Sequence, residues 1–424
     1  MEAVTQEGLP RRRLRFFTRL AALAVVVILM LPILPWPWAP LAVPAASPYV
    51  AVFGAVAARA VSAATLVGLP ILAIALFIPL WFCRYACPVG LMEESLACLR
   101  PSAAVNLAKW PPVGQWLVFL TLGGAIAGYP VLLWLDPLAM LSGFLGAWRL
   151  PVTAVGLAAA MGLPVVAAVS LLLPHAWCVR LCPLGAAQGL LALAGRVRRR
   201  RGAAADASPG PRRQGLGRRA ILLAGLGGLV AAGVRVVRGS PVAPLRPPGS
   251  IAEDRFTGVC VRCGNCVRAC PAKIIRPDPG RHGLAAVLAP VVSFDEGFCR
   301  QDCNLCQTVC PSGAIRRLAL EGKRKGVMGL ARVDLAICSL AKGEECTACI
   351  RACPCEAIVH EPLNDGFGWR PAIDLGRCTG CGACQVECPT SPEKAIKVFP
   401  PAEASRIRLA EVTNSVSRHH LQGG

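Results

Sequence analysis

Four cysteine quartets in residues 260–388, each followed directly by proline, constrain this chain more than any other feature. The first and last have the spacing C-x2-C-x2-C-x3-C-P, while the second and third widen their first gap to three and seven residues. Three thiolates on a tight loop bind three irons of a cubane cluster, and the fourth usually reaches a neighbouring cluster. The sixteen candidate 4Fe-4S ligands are Cys260, Cys263, Cys266, Cys270, Cys299, Cys303, Cys306, Cys310, Cys338, Cys346, Cys349, Cys353, Cys378, Cys381, Cys384 and Cys388.

Two other kinds of site use closely spaced cysteines. Zinc sites pair two C-x2-C units and do not need the proline, and disulfide frameworks belong to small secreted domains. The spacing, the proline and the number of quartets agree better with four 4Fe-4S clusters. Residues 251–400 are therefore predicted to form a four-cluster ferredoxin domain.

The chain as a whole is too apolar for an ordinary soluble protein, with 54% hydrophobic residues and a mean hydropathy of +0.53. Its net charge of +21 comes mostly from arginines beside apolar runs. This placement favours contact with anionic membrane lipid over nucleic-acid binding. Four membrane spans are predicted, at residues 20–34, 60–82, 111–135 and 151–174, within a polytopic domain of residues 1–195.

The membrane domain contains an internal repeat, because residues 68–90 resemble residues 162–185 and both segments include a C-x3-C-P motif. The four thiols of the two motifs are expected to converge at the cytoplasmic face. They are Cys83, Cys87, Cys178 and Cys182. Three roles are open for them: a redox-active dithiol site, ligands of a metal or cluster, or buried thiols without chemistry. Recurrence at matching places in a repeat favours a redox or metal role.

Two linkers and a charged apolar segment separate the two halves. Residues 196–217 are predicted to be a basic linker and residues 239–250 a proline-rich one. Between them, Arg218 and Arg219 open a segment at 218–238 with a short apolar core, which is typical of a twin-arginine export signal. A fifth, marginal membrane anchor is the compatible alternative. Export predicts that the ferredoxin domain lies on the periplasmic side of the bacterial inner membrane, followed by a C-terminal tail at 401–424.

The predicted fold class combines an α-helical membrane domain, with four main spans in two repeats, and an α+β tandem bacterial-type ferredoxin domain. In the ferredoxin domain, an Ala-Ile or Lys-Ile pair follows the proline of each quartet. The pattern indicates a repeated unit of strand, cluster loop, short helix and strand. Two pairings of quartets stay open: first with second and third with fourth, or first with fourth and second with third.

A few charged residues of the membrane domain have weaker signals. His175 lies at a predicted membrane edge, where it could take a proton from a quinol, although an interfacial structural role is commoner. Asp136, Glu93 and Glu94 are expected to be solvated loop charges.

Two cysteines, Cys98 and Cys355, lie outside every motif and are expected to be buried structural thiols. The sequence has neither a C-x-x-C-H motif nor a G-x-G-x-x-G motif after a strand. No haem and no NAD are therefore expected. A quinol then becomes the expected source of electrons.

The C-terminal half resembles the NapG/MauM-like periplasmic polyferredoxins of nitrate-reductase and methylamine-utilisation systems. The resemblance lies in the twin arginines, the seven-residue gap, the segment MGLARVDLAIC at 328–338 and the ending CTGCGACQVECPTSPEKAIKVFP at 378–400. The N-terminal half resembles their NapH-like membrane partner, which has four helices and two C-x3-C-P motifs. That partner usually carries two further quartets at its cytoplasmic end, whereas here the basic linker follows directly.

The resemblance implies a membrane-bound iron-sulfur electron-transfer protein. It would act as a quinol dehydrogenase that draws on the quinone pool and passes electrons through four 4Fe-4S clusters to a periplasmic reductase or cytochrome. The alternative is a maturation, assembly or redox-sensing factor for a periplasmic metalloenzyme.

Overall fold

The computed structural model describes residues 9–31, 36, 38–61, 63–99, 107, 110–147, 154–203, 218–237, 243–362 and 368–401. Residues 204–217 of the predicted basic linker, residues 238–242 and the tail from 402 lie outside the described residues. The chain divides into two compact units. Unit 1 comprises Met1–Gly239, Ile251–Asn265 and Val309–Ala314, and unit 2 comprises Ser240–Ser250, Cys266–Thr308 and Ile315–Gly424.

Unit 1 is helical, and its helices follow the internal repeat of the sequence. The first half contains α1 (Leu9–Met30), α2 (Ala42–Ala45), α3 (Pro48–Ala58), α4 (Ala63–Phe77), α5 (Trp81–Tyr85) and α6 (Pro88–Leu99). The second half contains α7 (Val113–Ile126), α8 (Pro137–Ala147), α9 (Ala154–Ala160), α10 (Gly162–Leu172) and α11 (Pro183–Ala203), and α12 (Arg218–Val237) and α13 (Glu253–Val259) complete the unit. A short π-helix at Trp177–Leu181 contains the second C-x3-C-P motif's first cysteine.

In three of the four predicted spans, at 60–82, 111–135 and 151–174, the described helices are shorter than the span. None of the described helices alone is long and apolar enough to cross a membrane. The helices Ala39–Ala45 and Pro48–Ala58 meet that length and apolarity only when they are taken as one pair, which is bent by 90°. In the expected span at 111–135, α7 ends at Ile126, because Gly128 has a φ of +85° and Pro130 follows. The predicted linker also begins later than expected, since α11 continues to Ala203.

The N-termini of α3 and α8, which are equivalent in the two repeats, meet at a buried polar contact. Ser47 Oγ donates to Asp136 Oδ1 at 2.5 Å, and both side chains are fully buried. Asp136 Oδ2 accepts the backbone N–H groups of Leu138 and Ala139 at 3.1 and 2.9 Å, so it caps α8. The expectation of a solvated Asp136 was wrong, because the carboxylate satisfies the free donors of a buried helix end.

Helix α12 packs closely on α7 through glycine. A Cβ atom at Gly123 would lie 1.8 Å from the Ala224 carbonyl oxygen, and one at Gly227 would lie 2.1 Å from that of Leu120. Only glycine permits this approach of two helix backbones. The segment that follows the twin arginines is therefore an integral helix of unit 1.

Unit 2 has the α+β organisation expected of tandem ferredoxin modules. Its strands are β1 (Ile275–Pro277), β2 (Pro290–Val292), β3 (Leu330–Val333), β4 (Ile358–Pro362), β5 (Trp369–Ile373) and β6 (Ile396–Phe399). Short helices lie at or just before the last cysteines of the quartets: α14 (Asn265–Ala269), α15 (Leu305–Thr308), α17 (Ala348–Ala352) and α18 (Ala383–Glu387), with α16 (Leu320–Lys325) between the modules.

The strand pairing repeats in both modules. The strand after the third quartet, β4, pairs with β5 before the fourth, and the outer strands β3 and β6 also pair, all antiparallel. In the first module β1 pairs with β2, and the outer pair is reduced to a single bridge between Ser250 and Ile315. The isoleucines of the four Ala-Ile or Lys-Ile pairs are all buried in unit 2. The tandem ferredoxin prediction is confirmed.

We predict that Asp136→Ala lowers the free energy of unfolding by about 2–4 kcal/mol, because α8 loses its cap and Ser47 loses its buried partner. Thermal unfolding of the purified protein, followed by circular dichroism, measures the change. Asp302→Ala is the control, since that carboxylate is 61% exposed and its ion pair with Arg300 lies at the surface. Equal stability of the two variants would contradict a structural role for the Asp136 contact.

Candidate iron-sulfur centres

In the second module, two cavities are each lined by three cysteines of one quartet and the last cysteine of the other. One cavity, with a volume of about 360 Å³, is lined by Cys338, Cys346, Cys349 and Cys388. The other, of about 310 Å³, is lined by Cys353, Cys378, Cys381 and Cys384, together with Cys355. The third and fourth quartets therefore exchange their last cysteines.

In the first module, one cavity has the same arrangement. A cavity of about 390 Å³ is lined by Cys270 of the first quartet and by Cys299, Cys303 and Cys306 of the second. The remaining cysteine of the second quartet, Cys310, is then left for the first. Of the two pairings that the sequence leaves open, the structure has first with second and third with fourth.

The first cysteine loop lies beside the segment that leads to Cys310 within unit 1. Asn265 is buried there, and its Nδ2 donates to the Val309 and Pro40 carbonyl oxygens at 3.4 and 3.1 Å. Its Oδ1 accepts from Ser142 Oγ on α8 at 3.1 Å. The loop is thus fixed by hydrogen bonds to the helices of unit 1.

The electrostatics of the cavities fit a cationic iron core. Burial, followed by the neighbouring thiols, raises the pKa of Cys306 to about 12 and that of Cys349 to about 11. Such thiols stay protonated at neutral pH unless a cation replaces the protons, as iron does when it binds. Across the described residues, no three His, Cys, Asp or Glu side chains are placed to hold one metal ion. In a cubane, each thiolate binds a different iron.

One ligand is already arranged to carry negative charge. Burial raises the pKa of Cys388, but hydrogen bonds from Thr390 and from the backbone of Ile396 and Ala395 outweigh it and lower the pKa overall. The Thr390 hydroxyl lies 3.2 Å from the Cys388 sulfur. Ser312, at the corresponding place two residues after Cys310, lies 3.9 Å from that sulfur. Hydrogen bonds to ligand sulfurs are one of the ways in which proteins set cluster potentials.

Cys355 occupies the same place after Cys353, and the expectation that it is buried was wrong, while its structural role stays a prediction. It is half-buried, lines the cavity of the fourth quartet and lies 3.4 Å from Gln301 Nε2 and 3.6 Å from Thr379 Oγ1. Its position two residues after the last cysteine, matched by Ser312 and Thr390, was the signal in the sequence. Cys98 also departs from expectation, since it is exposed near the end of α6.

The thiols of the two C-x3-C-P motifs lie together in unit 1. Cys87 and Cys182 are buried and precede α6 and α11, whose first N–H groups hydrogen-bond to their sulfurs. Cys83 interacts electrostatically with both, and so does the exposed Cys178. A Cβ atom on Gly185 of the second motif would lie 3.9 Å from Cys83 Sγ, which places the first motif against the second.

Polar side chains that the sequence did not assign to the site surround these thiols. Gln188 is fully buried, and its Nε2 donates to Cys83 Sγ at 3.3 Å. Glu93 is 1% exposed and accepts the Cys178 N–H at 3.0 Å, while Glu94 forms an ion pair with Arg19 at 2.6 Å. The expectation of a solvated loop charge was therefore wrong for Glu93, while Glu94 is 38% exposed and lies on α6 and not in a loop. Glu93 and Gln188 each lie five or six residues after a C-P pair, which could have indicated a helix face turned to the thiols.

His175 is exposed, and its backbone has a φ of +65° in the turn before the π-helix. It interacts electrostatically with Glu93. Its role in proton transfer stays a prediction.

Two family models match the chain. The model described as a 4Fe-4S dicluster domain matches residues 259–314 and 344–391. The model described as a 4Fe-4S binding domain matches residues 60–101 and 155–202, which contain the two C-x3-C-P motifs. The descriptions agree with iron-sulfur binding by the cysteine quartets.

Known proteins similar to the C-terminal half share its ferredoxin character. The methylamine utilization ferredoxin-type protein MauM of Methylobacillus flagellatus is 37% identical over 195 residues, which are 43% of this chain and 80% of that protein. The ferredoxin-type protein NapG of Escherichia coli K12 is 38% identical over 193 residues, 41% of this chain and 80% of that protein. NapF of the same organism is 30% identical over 147 residues, 35% of this chain and 81% of NapF. No solved structure matches.

We predict that the exchange of last cysteines makes the effects of ligand substitutions depend on the cavity and not on the quartet. Cys270→Ser and Cys303→Ser line one cavity, so the double variant should lose about four iron atoms per chain, as each single variant does. Cys270→Ser combined with Cys263→Ser should lose about eight. Iron analysis together with EPR of the reduced protein measures both. Equal losses in the two double variants would contradict the pairing.

Proposed function

The chain belongs to the family of ferredoxin-type iron-sulfur proteins that includes NapG and MauM, and we propose that it is a membrane-bound quinol dehydrogenase component. In this proposal it oxidises quinol at the inner membrane and passes electrons through four 4Fe-4S clusters to a periplasmic reductase or cytochrome. The observation that carries the proposal is the occurrence, in one chain, of two paired-cluster modules and a helical unit with a second group of four thiols.

The ferredoxin modules support a relay and not the activation of a substrate. Bound clusters supply one-electron transfer at potentials set by charge, hydrogen bonds and exposure. The chain's own contribution is to hold the thiols in pairs of adjacent cavities and to exclude water from their walls with buried residues such as Ile274, Ile358 and Ile396. In unit 2 the described cavities named above are lined by cysteines and mainly apolar residues.

The surface of unit 1 supports contact with membrane lipid. Large apolar side chains point outward from its helices, and Leu66, Phe77, Leu157, Leu172 and Leu229 are between 58% and 73% exposed. Water-soluble proteins seldom expose so many apolar residues together. Unit 1 is therefore proposed to be a NapH-like membrane module, whose spans are made of bent and broken helices supported by their neighbours.

The proposed periplasmic location depends on the twin arginines at the start of α12. In the proposal, Arg218 and Arg219 direct export of the cluster-loaded domain, and α12 remains as an anchor. Its glycine contact with α7, at Gly123 and Gly227, favours retention of the helix over removal. The periplasmic reductase or cytochrome would then reach the clusters without crossing the membrane.

The C-x3-C-P thiols are proposed as the site where electrons enter. Cys87 and Cys182 sit at helix N-termini, where N–H groups and the positive end of the helix dipole favour a negatively charged thiolate or metal centre. Buried Gln188 and Glu93 hold the motifs in place. The match of both segments to a 4Fe-4S binding domain supports a cluster at these thiols.

We predict that Cys83→Ser and Cys178→Ser each stop the reduction of the ferredoxin clusters by a quinol analogue, while a strong chemical reductant still reduces them. EPR of the membrane protein before and after quinol addition measures this. Cys98→Ser is the matched control, because Cys98 lies in the same unit but outside both C-x3-C-P motifs, near the end of α6. Unchanged reduction by quinol in the first two variants would refute an entry role for these thiols.

A turnover experiment separates the proposal from its alternative. A dehydrogenase should reduce an artificial electron acceptor through many turnovers when quinol is supplied in excess. An assembly, maturation or redox-sensing factor should be reduced once, in a stoichiometric amount. A single turnover would therefore replace the proposed function with the alternative.

A further inference from the structure

Lys323 is a buried lysine on an otherwise exposed helix. Helix α16 carries three consecutive basic residues, and Arg324 and Lys325 are exposed while Lys323 is only 4% exposed. Lysine is almost never fully buried unless a partner compensates its charge. Moving an ammonium group out of water without such a partner costs a large free energy. A nearby anion is therefore expected to compensate the charge of Lys323.

The contacts of Lys323 lead to one of the cysteine cavities. Its Nζ donates to the Arg300 carbonyl oxygen, next to Cys299, and its side chain hydrogen-bonds to the Cys299 thiol. Burial raises the pKa of Cys299, and the charge and hydrogen bond of Lys323 counter that rise. The charge also reaches Cys306 in the same cavity. All these residues belong to unit 2.

A carboxylate accounts for only a small part of the buried charge, because Asp302, which interacts electrostatically with Lys323, is 61% exposed. None of the ion pairs between described side chains includes Lys323. Asp302, which lies in the same loop, pairs with Arg300 at 2.8 Å, and both of those side chains are more than half exposed. A cubane held by four thiolates is a net anion and becomes more negative on reduction. Such a cluster supplies the partner that Lys323 needs.

The quartet that contributes Cys270 to this cavity differs from the other three at the position two residues after its last cysteine. Ser312, Cys355 and Thr390 occupy that place in three quartets, whereas the first quartet has Ala272, which has no side-chain donor. Lys394, near Cys388, is only half-buried and donates to a backbone carbonyl. Solvent screens a half-exposed charge much more than a buried one. Lys323 is therefore the stronger electrostatic influence.

We infer that the positive charge of Lys323 raises the reduction potential of the cluster bound by Cys270, Cys299, Cys303 and Cys306. The ammonium group stabilises the reduced cluster more than the oxidised one, because the reduced cluster carries one more negative charge. One electron arrives, and no bond forms or breaks. The inference rests on the proposed electron relay, in which this cluster holds the electron more tightly than it would without Lys323.

The test is a redox titration with chemical mediators, followed by EPR, on the full chain with its clusters. The signal of this cluster is the one that Cys303→Ser removes. In Lys323→Met, the ratio of reduced to oxidised cluster at a fixed poise should fall at least tenfold, which is about 59 mV for one electron. Lys323→Arg should stay close to the native ratio. Lys397→Met removes the same charge from an exposed pair with Glu393 and should leave the ratio unchanged.

Two results would overturn the inference. The first is a loaded cluster in Lys323→Met with the native ratio. The second is a shift or loss in Lys323→Arg as large as in Lys323→Met, which would mean that shape and not charge matters. If Lys323→Met and Lys323→Gln both lose the cluster while Lys323→Arg keeps it, the requirement for charge is upheld. Chemical mediators replace quinol here, so failure of the quinol dehydrogenase proposal leaves this result intact.

Discussion

The exchange of the last cysteine between paired quartets is the constraint on which the ferredoxin half depends. Cys270 completes the cavity of the second quartet. Cys353 completes the cavity of the fourth quartet, and Cys388 completes that of the third. Neither quartet of a pair can therefore form its site alone. The antiparallel pairing of β4 with β5 and of β3 with β6 brings the two loops to the required distance. Because the protein core of each module is small, metal binding and folding are one process.

In unit 1, the polar groups and the C-x3-C-P thiols are placed by the N-termini of helices. Ser47 and Asp136 cap one pair of repeated helices, and Cys87 and Cys182 precede another pair. Asp136 also interacts electrostatically with both thiols. Several positive helix ends thus face one polar region inside an apolar bundle, which favours negative charge there. The repeat in the sequence is a repeat of helix starts, each marked by proline in the first position.

The cysteine spacing predicted the ferredoxin sites because the ligands of a cluster loop are local in sequence. The buried isoleucines after each proline could be predicted for the same reason. Lys323, Glu93 and Asp136 could not, since the burial of a charge depends on neighbours that are distant in sequence. Three of the four predicted spans were longer than their helices, because hydropathy does not register a turn such as that at Gly128, although Gly128 and Pro130 were local signals of it. The choice between quartet pairings required the strand register.

The boundary between the two units runs through the first ferredoxin module, because Ile251–Asn265 and Val309–Ala314 belong to unit 1. Tyr129 meets Thr257 at 3.2 Å, and Ser142 meets Asn265, in contacts that join residues more than a hundred positions apart. The ribosome makes the early helices long before it makes residue 314. These contacts within unit 1 can therefore form only after the later segments have been synthesised.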